Sequence, residues 1–456
     1  MNVQKHAWSK EDLARRLCHA LDIARQALEH LAQEGYTDPE EPGNSVRPEK
    51  LVSETAFFLL AASTVADGSE VRERIEGVAQ LLIPHARSER MLLGLCLHPA
   101  LALDYAQAHI CLTRLGFPDA GFDALLRQSV GAQARAGRER VPHRMLEQEW
   151  ITAVWENPGP GSHLRTPPAA LDSVLNQPMD LLNGSREDIY AFTHALMYVR
   201  DFNIRPRRLP RRRTEILAEA EAALARCLDE QDYDLGGEVL LTWPLTGKLW
   251  SPASVFAFRV LAQVEDRAGF LPASSTRLAR LAKLEGEART CYLLATVYHT
   301  AYVMGLLCAA ALQAGRTPPL KLPKGKTAAV QGSGTLVLRF LDADKNKDAD
   351  ARSGHWRGEL EQLTYPERDA IAGLLLNIAL RRKASRGEFD ALRELLKLAY
   401  SCGLSNTPAA SQAAEMLERL ATYASITGAP KAAAKSRADV GAVGNPSIHV
   451  TREIRG

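Results

Sequence analysis

The stretch EDIYAFTHALMYVRDF, residues 187–202, limits the possible folds of this chain more than any other. Its spacing predicts a helix, because Ile189, Phe192, Leu196 and Val199 recur at three or four residues and make an apolar stripe. The other side carries Glu187, Tyr190, His194, Tyr198 and Asp201. A surface helix puts Lys, Glu or Gln opposite its apolar face. Tyr, His and Asp suit an inner helix instead, with the apolar side on neighbouring helices and the polar side on a cavity.

The rest of the chain supports a helical surrounding. At 456 residues it is long enough for two or three domains. Apolar stripes at helical spacing run over 9–34, 49–66, 69–85, 98–115, 213–230, 252–268, 285–312, 364–384, 387–402 and 408–425. Ser9 is placed to cap the first of these, with Glu11 and Asp12 in its first turn, and Asn183 or Ser185 to cap the central one. Residues 285–312 repeat the two-faced design, with Tyr292, Thr296, His299 and Val303 on one side. The segment QGSGTLVLRFLDADKNKDADARSGHW reads as irregular, with at most one short strand. The fold class expected is all-α. Inner two-faced helices alternating with plain amphipathic ones would make an α/α-toroid-like array with a central cavity. The expected divisions are an N-terminal helix and polar loop at 1–48, the toroid-like domain at 49–314 and an irregular linker at 315–360. A small helical domain at 361–426 and a disordered tail at 427–456 complete them.

Composition excludes some classes. A net charge of +2 gives no electrostatic reason to expect nucleic acid or an anionic membrane as partner. The basic run RPRRLPRRR, with Pro206 and Pro210, reads as a loop. Seven scattered cysteines without C-x-x-C form neither a disulfide framework nor a zinc-ribbon pattern, and point to a reducing cytoplasm. The N-terminus lacks the apolar core of a signal peptide, and the most apolar run, Cys291 to Leu312, is interrupted by Thr296, His299, Thr300 and Gly305.

His109, His194, Asp201, Glu238 and His299 make the main candidate constellation. Imidazole and carboxylate serve both a divalent transition metal and general acid–base work. No H-E-x-x-H or H-x-x-x-H occurs, and His194 and Asp201 sit about 10 Å apart along one helix axis, so one metal could not take both without another helix. The alternative is that each histidine is a hydrogen-bonded core residue. DYDLGGE at 232–238 places Asp234 and Glu238 four apart, although Gly236 and Gly237 argue for a bend, and it lacks the D-D-x-x-D of terpene cyclases. Arg144 and Glu147, before Trp150, form either a buried pair on the cavity or a surface pair. DADKNKDAD at 342–350 has EF-hand spacing, but Lys347 stands where that loop needs Gly.

Four stretches occur in order: RVPHRMLEQEW (140–150), DIYAFTHALMYVRDF (188–202), DYDLGGE (232–238) and YHTAYVMGLL (298–307). Together they resemble an uncharacterised, mostly actinobacterial family of all-helical proteins over about residues 95–310. The resemblance implies functional weight for Arg144, Glu147, His194, Asp201, Asp234, Glu238 and His299, and a setting near biosynthetic genes, but no activity. The expectation is a cavity-bearing enzyme, or a protein binding a small molecule or peptide, in secondary metabolism. His194, Asp201, His299 and Glu238 would be catalytic, and Arg144, Glu147, Tyr190, Tyr198, Asp234 and His109 would bind substrate. Cofactor identity stays open, a divalent metal being one candidate, as does oligomeric state. The competing reading is a non-catalytic interaction scaffold, and convergence of the side chains on one pocket discriminates the two.

Overall fold

The computed structural model describes residues 9–37, 45–65, 69–132, 139–156, 165–323, 330–342 and 354–427. The tail expected at 427–456 lies outside the described residues but for Thr427, and so do positions 343–350 of the EF-hand-like run. Every regular element described is helical, and the fold is all-α. An isolated bridge between Tyr36 and Val46 closes the loop after the first helix.

In chain order the helices are α1 (Lys10–Glu29), α2 (Pro48–Ala62), α3 (Ser69–Ala86), α4 (Glu89–Leu97), α5 (Ala102–Arg114), α6 (Ala120–Ala132) and α7 (Pro142–Glu156). Then come α8 (Pro168–Leu171), α9 (Arg186–Arg200), α10 (Arg213–Glu230), α11 (Tyr233–Leu240), α12 (Thr242–Thr246), α13 (Pro252–Ala268), α14 (Leu278–Leu281) and α15 (Gly286–Leu312). The C-terminal part holds α16 (Ser333–Asp342), α17 (Gly354–Glu361), α18 (Tyr365–Ala370), α19 (Ala372–Ser385), α20 (Phe389–Ser401) and α21 (Pro408–Thr427).

Six of these pack in a closed cycle: α2 on α5, α5 on α7, α7 on α9, α9 on α11, α11 on α15, and α15 back on α2. Around them, α1 and α3 cover α15, α2 and α5, and α10 and α13 cover α11. The central helix α9 starts where Ser185 and Asp188 form a reciprocal capping box. It is buried on both faces, Phe192 and Val199 on one and His194 and Tyr198 on the other. That pattern requires the polar face to be satisfied inside the protein.

Two divisions drawn from the sequence differ from the structure. Helix α1 is integral to the main body: it packs along α15, and the fully buried Arg16 pairs with Asp12, Glu265 and Asp266, tying α1 to α13. The supposed irregular linker contains α16, because Leu338 and Leu341 fall three apart and, with Val337, give the run a helical apolar face. The C-terminal helices dock on the body, α19 on α10 and α17 on α13, with Arg382 bridging to Asp229 at 2.9 Å. Helix α15 is long and apolar enough to cross a bilayer, and 83% of its most apolar window is buried.

Gly236 and Gly237 do not bend the chain; both lie within α11. A Cβ on Gly237 would stand 2.5 Å from Val303 Cγ1 on α15. Val303 is β-branched and stiff in a helix, so it cannot rotate away cheaply. The glycine therefore permits the close approach of α11 to α15 that brings their polar side chains together. Gly237→Ala should cost about 1–3 kcal/mol by overpacking. Urea unfolding should show it less stable than wild type and less stable than the Gly237→Ala, Val303→Ala double variant.

Candidate functional site

Helices α2, α9, α11 and α15 bring their polar side chains to one point. His299 of α15 is its centre. Its Nδ1 donates to Glu54 Oε2 of α2 at 3.2 Å, while its Nε2 faces Asp234 Oδ1 at 3.3 Å and Glu238 Oε1 at 3.8 Å, both from α11. Glu238 is 3% exposed, and its other oxygen, Oε2, accepts the Thr193 hydroxyl at 2.5 Å and lies 3.5 Å from His194 Nδ1. One buried carboxylate thus stands between two histidines. Asp234 is tethered from behind, since Arg186 reaches its Oδ2 at 3.2 Å and Asp232 at 2.8 Å.

The charges around His299 favour its protonated form. Burial opposes a charge there, but Asp234, Glu54 and Glu238 outweigh it and hold the imidazolium well above the usual histidine range. Burial would raise Glu238, yet His194, His299 and Thr193 pull it below the ordinary carboxylate range. Asp234 goes the other way: burial, with Glu238 and Asp232 nearby, raises it against the pull of His299 and Arg186. Glu54 is brought to about 2, His299 overcoming the effect of its burial.

His194 has a definite tautomer. Its Nδ1 lies 3.0 Å from the Tyr190 carbonyl, which can only accept, so Nδ1 carries a proton and Nε2 is the nitrogen left to exchange one. Tyr190 lies against the imidazole with ring centroids 3.8 Å apart, and His143 of α7 approaches both rings. Burial, with the Arg144 guanidinium next in effect, holds His143 down to about 4. Next to these rings, Glu147 accepts Arg144 at 2.7 Å and the Tyr198 hydroxyl at 2.9 Å, and Arg144 also reaches the Tyr190 hydroxyl at 3.4 Å.

Arg144, Glu147, Tyr190, His194, Tyr198, Glu238 and His299 all line one pocket of about 850 Å³. Its wall also carries Glu54, Lys50, Arg47, Arg140 and Asp104. Asp234 stands behind His299 and is not part of the wall.

Two residues expected in the constellation lie elsewhere. Asp201 does not continue the stripe of α9, because the chain leaves the helix there: Asp201, Phe202 and Asn203 take φ of 42°, 45° and 64°. Its carboxylate accepts the Trp150 indole at 2.6 Å and Arg205 at 3.4 Å, fixing this turn. His109 is fully buried under Phe122, with ring centroids 4.1 Å apart. Arg87 donates to its Nδ1 at 3.3 Å, so Nε2 carries the proton and donates to Asp123 at 3.0 Å. Both are structural polar residues, each with its own partners.

Glu54, Thr193, Arg186 and His143 were not singled out in the sequence. Glu54 left a trace there, as a lone acid one residue before TAFFLLAA. Thr193 is the threonine of Y-x-x-T-H.

The chain belongs to the family described as Domain of unknown function (DUF6895), which it matches over residues 17–309. That span begins inside α1, so it takes in Glu54 as well as the four stretches noted in the sequence. No curated protein and no solved structure matches the chain.

His109 gives a test of the buried core. Burial, with the Arg87 charge, lowers it below the usual histidine value despite Asp123. Its neutral form is favoured in the fold, so its contribution is complete above the unfolded value and is lost as pH falls through the depressed folded one. His109→Gln should cost about 1–2 kcal/mol at pH 8. The stability gap between wild type and variant, read from urea midpoints, should narrow from pH 7 to pH 5; a widening gap contradicts the assignment.

Proposed function

We propose that this protein binds a small molecule or peptide in the pocket and carries out acid–base chemistry on it, with His194 as the base. The single observation behind this reading is convergence: seven candidate side chains from α7, α9, α11 and α15 meet on one pocket. A scaffold has no need to bring them together. His194 suits the role, since Glu238 and the Tyr190 carbonyl hold Nδ1–H and leave the Nε2 lone pair with no partner among the described residues. Arg144 would hold an anionic group of the ligand, and Tyr190 and Tyr198 would bound it. The closed cycle of six helices supports an α/α-toroid-like array whose central cavity is this pocket. Seven free cysteines support a cytoplasmic setting. A place in secondary metabolism is the wider form of the same proposal.

The test is a panel of small molecules and short peptides screened by native mass spectrometry and by product analysis. A stoichiometric adduct should form with wild type and weaken at least about tenfold in Arg144→Ala. His194→Gln should keep the adduct and lower product formation by about 10²- to 10⁴-fold. Adducts that ignore both substitutions, with no product from either protein, would favour the scaffold.

A further inference from the structure

We infer that Asp234, Glu238 and His299 form a binding site for a divalent first-row transition ion, set in the pocket wall beside His194. One donor atom from each lies within 4.8 Å of the other two. The separations, 3.3 Å from His299 Nε2 to Asp234 Oδ1 and 3.8 Å to Glu238 Oε1, are close to the edge of about 3.4 Å expected for a tetrahedral ion with bonds of about 2.1 Å.

The arrangement behind these atoms carries the argument. Each of the three residues has its far atom secured and its near atom left over. His299 Nδ1 donates to Glu54; Asp234 Oδ2 takes Arg186; Glu238 Oε2 takes Thr193. The near atoms have no such partners. Asp234 Oδ1 is buried with no hydrogen-bond partner, although it stands 3.3 Å from His299 Nε2, so the two face each other without hydrogen-bond alignment. Glu238 is 3% exposed, and its Oε1 has His299 Nε2 before it only at 3.8 Å, beyond hydrogen-bond reach. The buried Asp234 Oδ1 is left without an aligned donor, which is costly; a divalent ion would displace the proton of His299 Nε2 to solvent and meet both carboxylate oxygens directly. Metal-binding histidines are commonly oriented by a carboxylate on the opposite nitrogen, which is the place of Glu54 here.

The donor set narrows the ion. One imidazole and two carboxylates, with no thiolate, suit zinc or manganese; an imidazole argues against magnesium and calcium. Three protein ligands leave a coordination position, and Glu238 and His299 both line the pocket, so that position faces the ligand space. The ion would polarise a bound group next to His194. The inference goes beyond the proposed acid–base role and does not depend on it, since an ion can bind where no turnover occurs.

The experiment uses the full chain, stripped with chelator and titrated calorimetrically with zinc chloride and with manganese chloride. Expected is one equivalent of at least one ion, with a dissociation constant in the micromolar range or tighter. Asp234→Asn and Glu238→Gln should each weaken it at least about tenfold, while His194→Gln should retain it. No saturable binding of either ion to wild type would overturn the inference, as would equal binding by wild type and a folded Asp234→Asn. If the ligand variants fail to fold, cobalt(II) added to stripped wild type decides. Visible d–d bands at one equivalent, abolished by competing zinc or manganese, support the site, and their absence overturns it. Ion binding that survives His194→Gln while product formation fails in every protein would sink the catalytic reading and leave the metal site standing.

Discussion

The structure around the pocket depends on one problem: Glu238 is a carboxylate almost entirely removed from water. A buried charge is tolerated only where opposite charge and hydrogen bonds replace its hydration. Here the replacement comes from three directions, the Thr193 hydroxyl, His194 and His299. Those partners belong to α9 and α15, so the charge on α11 can be satisfied only when all three helices are in register. The same demand passes outward. His299 draws in Glu54 from α2, and Asp234 draws in Arg186, next to the capping box of α9. Removing Glu238's partners one at a time would leave an uncompensated ion inside the cycle of helices.

Close approach makes this possible. Helix α11 reaches α15 through Gly237 against Val303, and α15 reaches α1 and α2 at Gly305, where a Cβ would stand 2.6 Å from the Phe58 ring and 2.8 Å from Ala20 Cβ. Side chains as short as Asp and Glu reach a histidine on the facing helix only when the backbones are this near. The glycines and the polar cluster are two aspects of one packing decision.

The sequence disclosed the helices well, because amphipathic spacing and caps are local signals; Ser9 and Ser185 cap α1 and α9. It also pointed to His194, Glu238 and His299 through the oddity of Tyr, His and acid on otherwise apolar helices. What it could not show was direction at a helix end. Asp201 sits seven residues after His194 and belongs to the same stripe on a helical wheel, yet the chain turns left-handed at that residue and sends its carboxylate to Trp150. Nor could it separate His109 from the others. A histidine facing a pocket and one sealed under a phenylalanine have the same local pattern, and only tertiary contacts tell them apart. Glu54 and Arg186 were hidden for the opposite reason: a single charged residue on a helix is ordinary until its partner on another helix is known. The glycine pair misled for a physical cause as well, since its low helix propensity is outweighed by the packing it allows.

The central claim is that Glu238 links His194 and His299 in one polar unit. Long-range nitrogen–proton NMR on protein labelled only at its 12 histidines reads this directly, with the two residues assigned by substitution. The account predicts that His194 carries its proton on Nδ1, and that Glu238→Gln shifts the ring nitrogens of both His194 and His299 while leaving His109 in place. A His194 protonated on Nε2, or a Glu238→Gln spectrum in which only one of the two histidines moves, would contradict it.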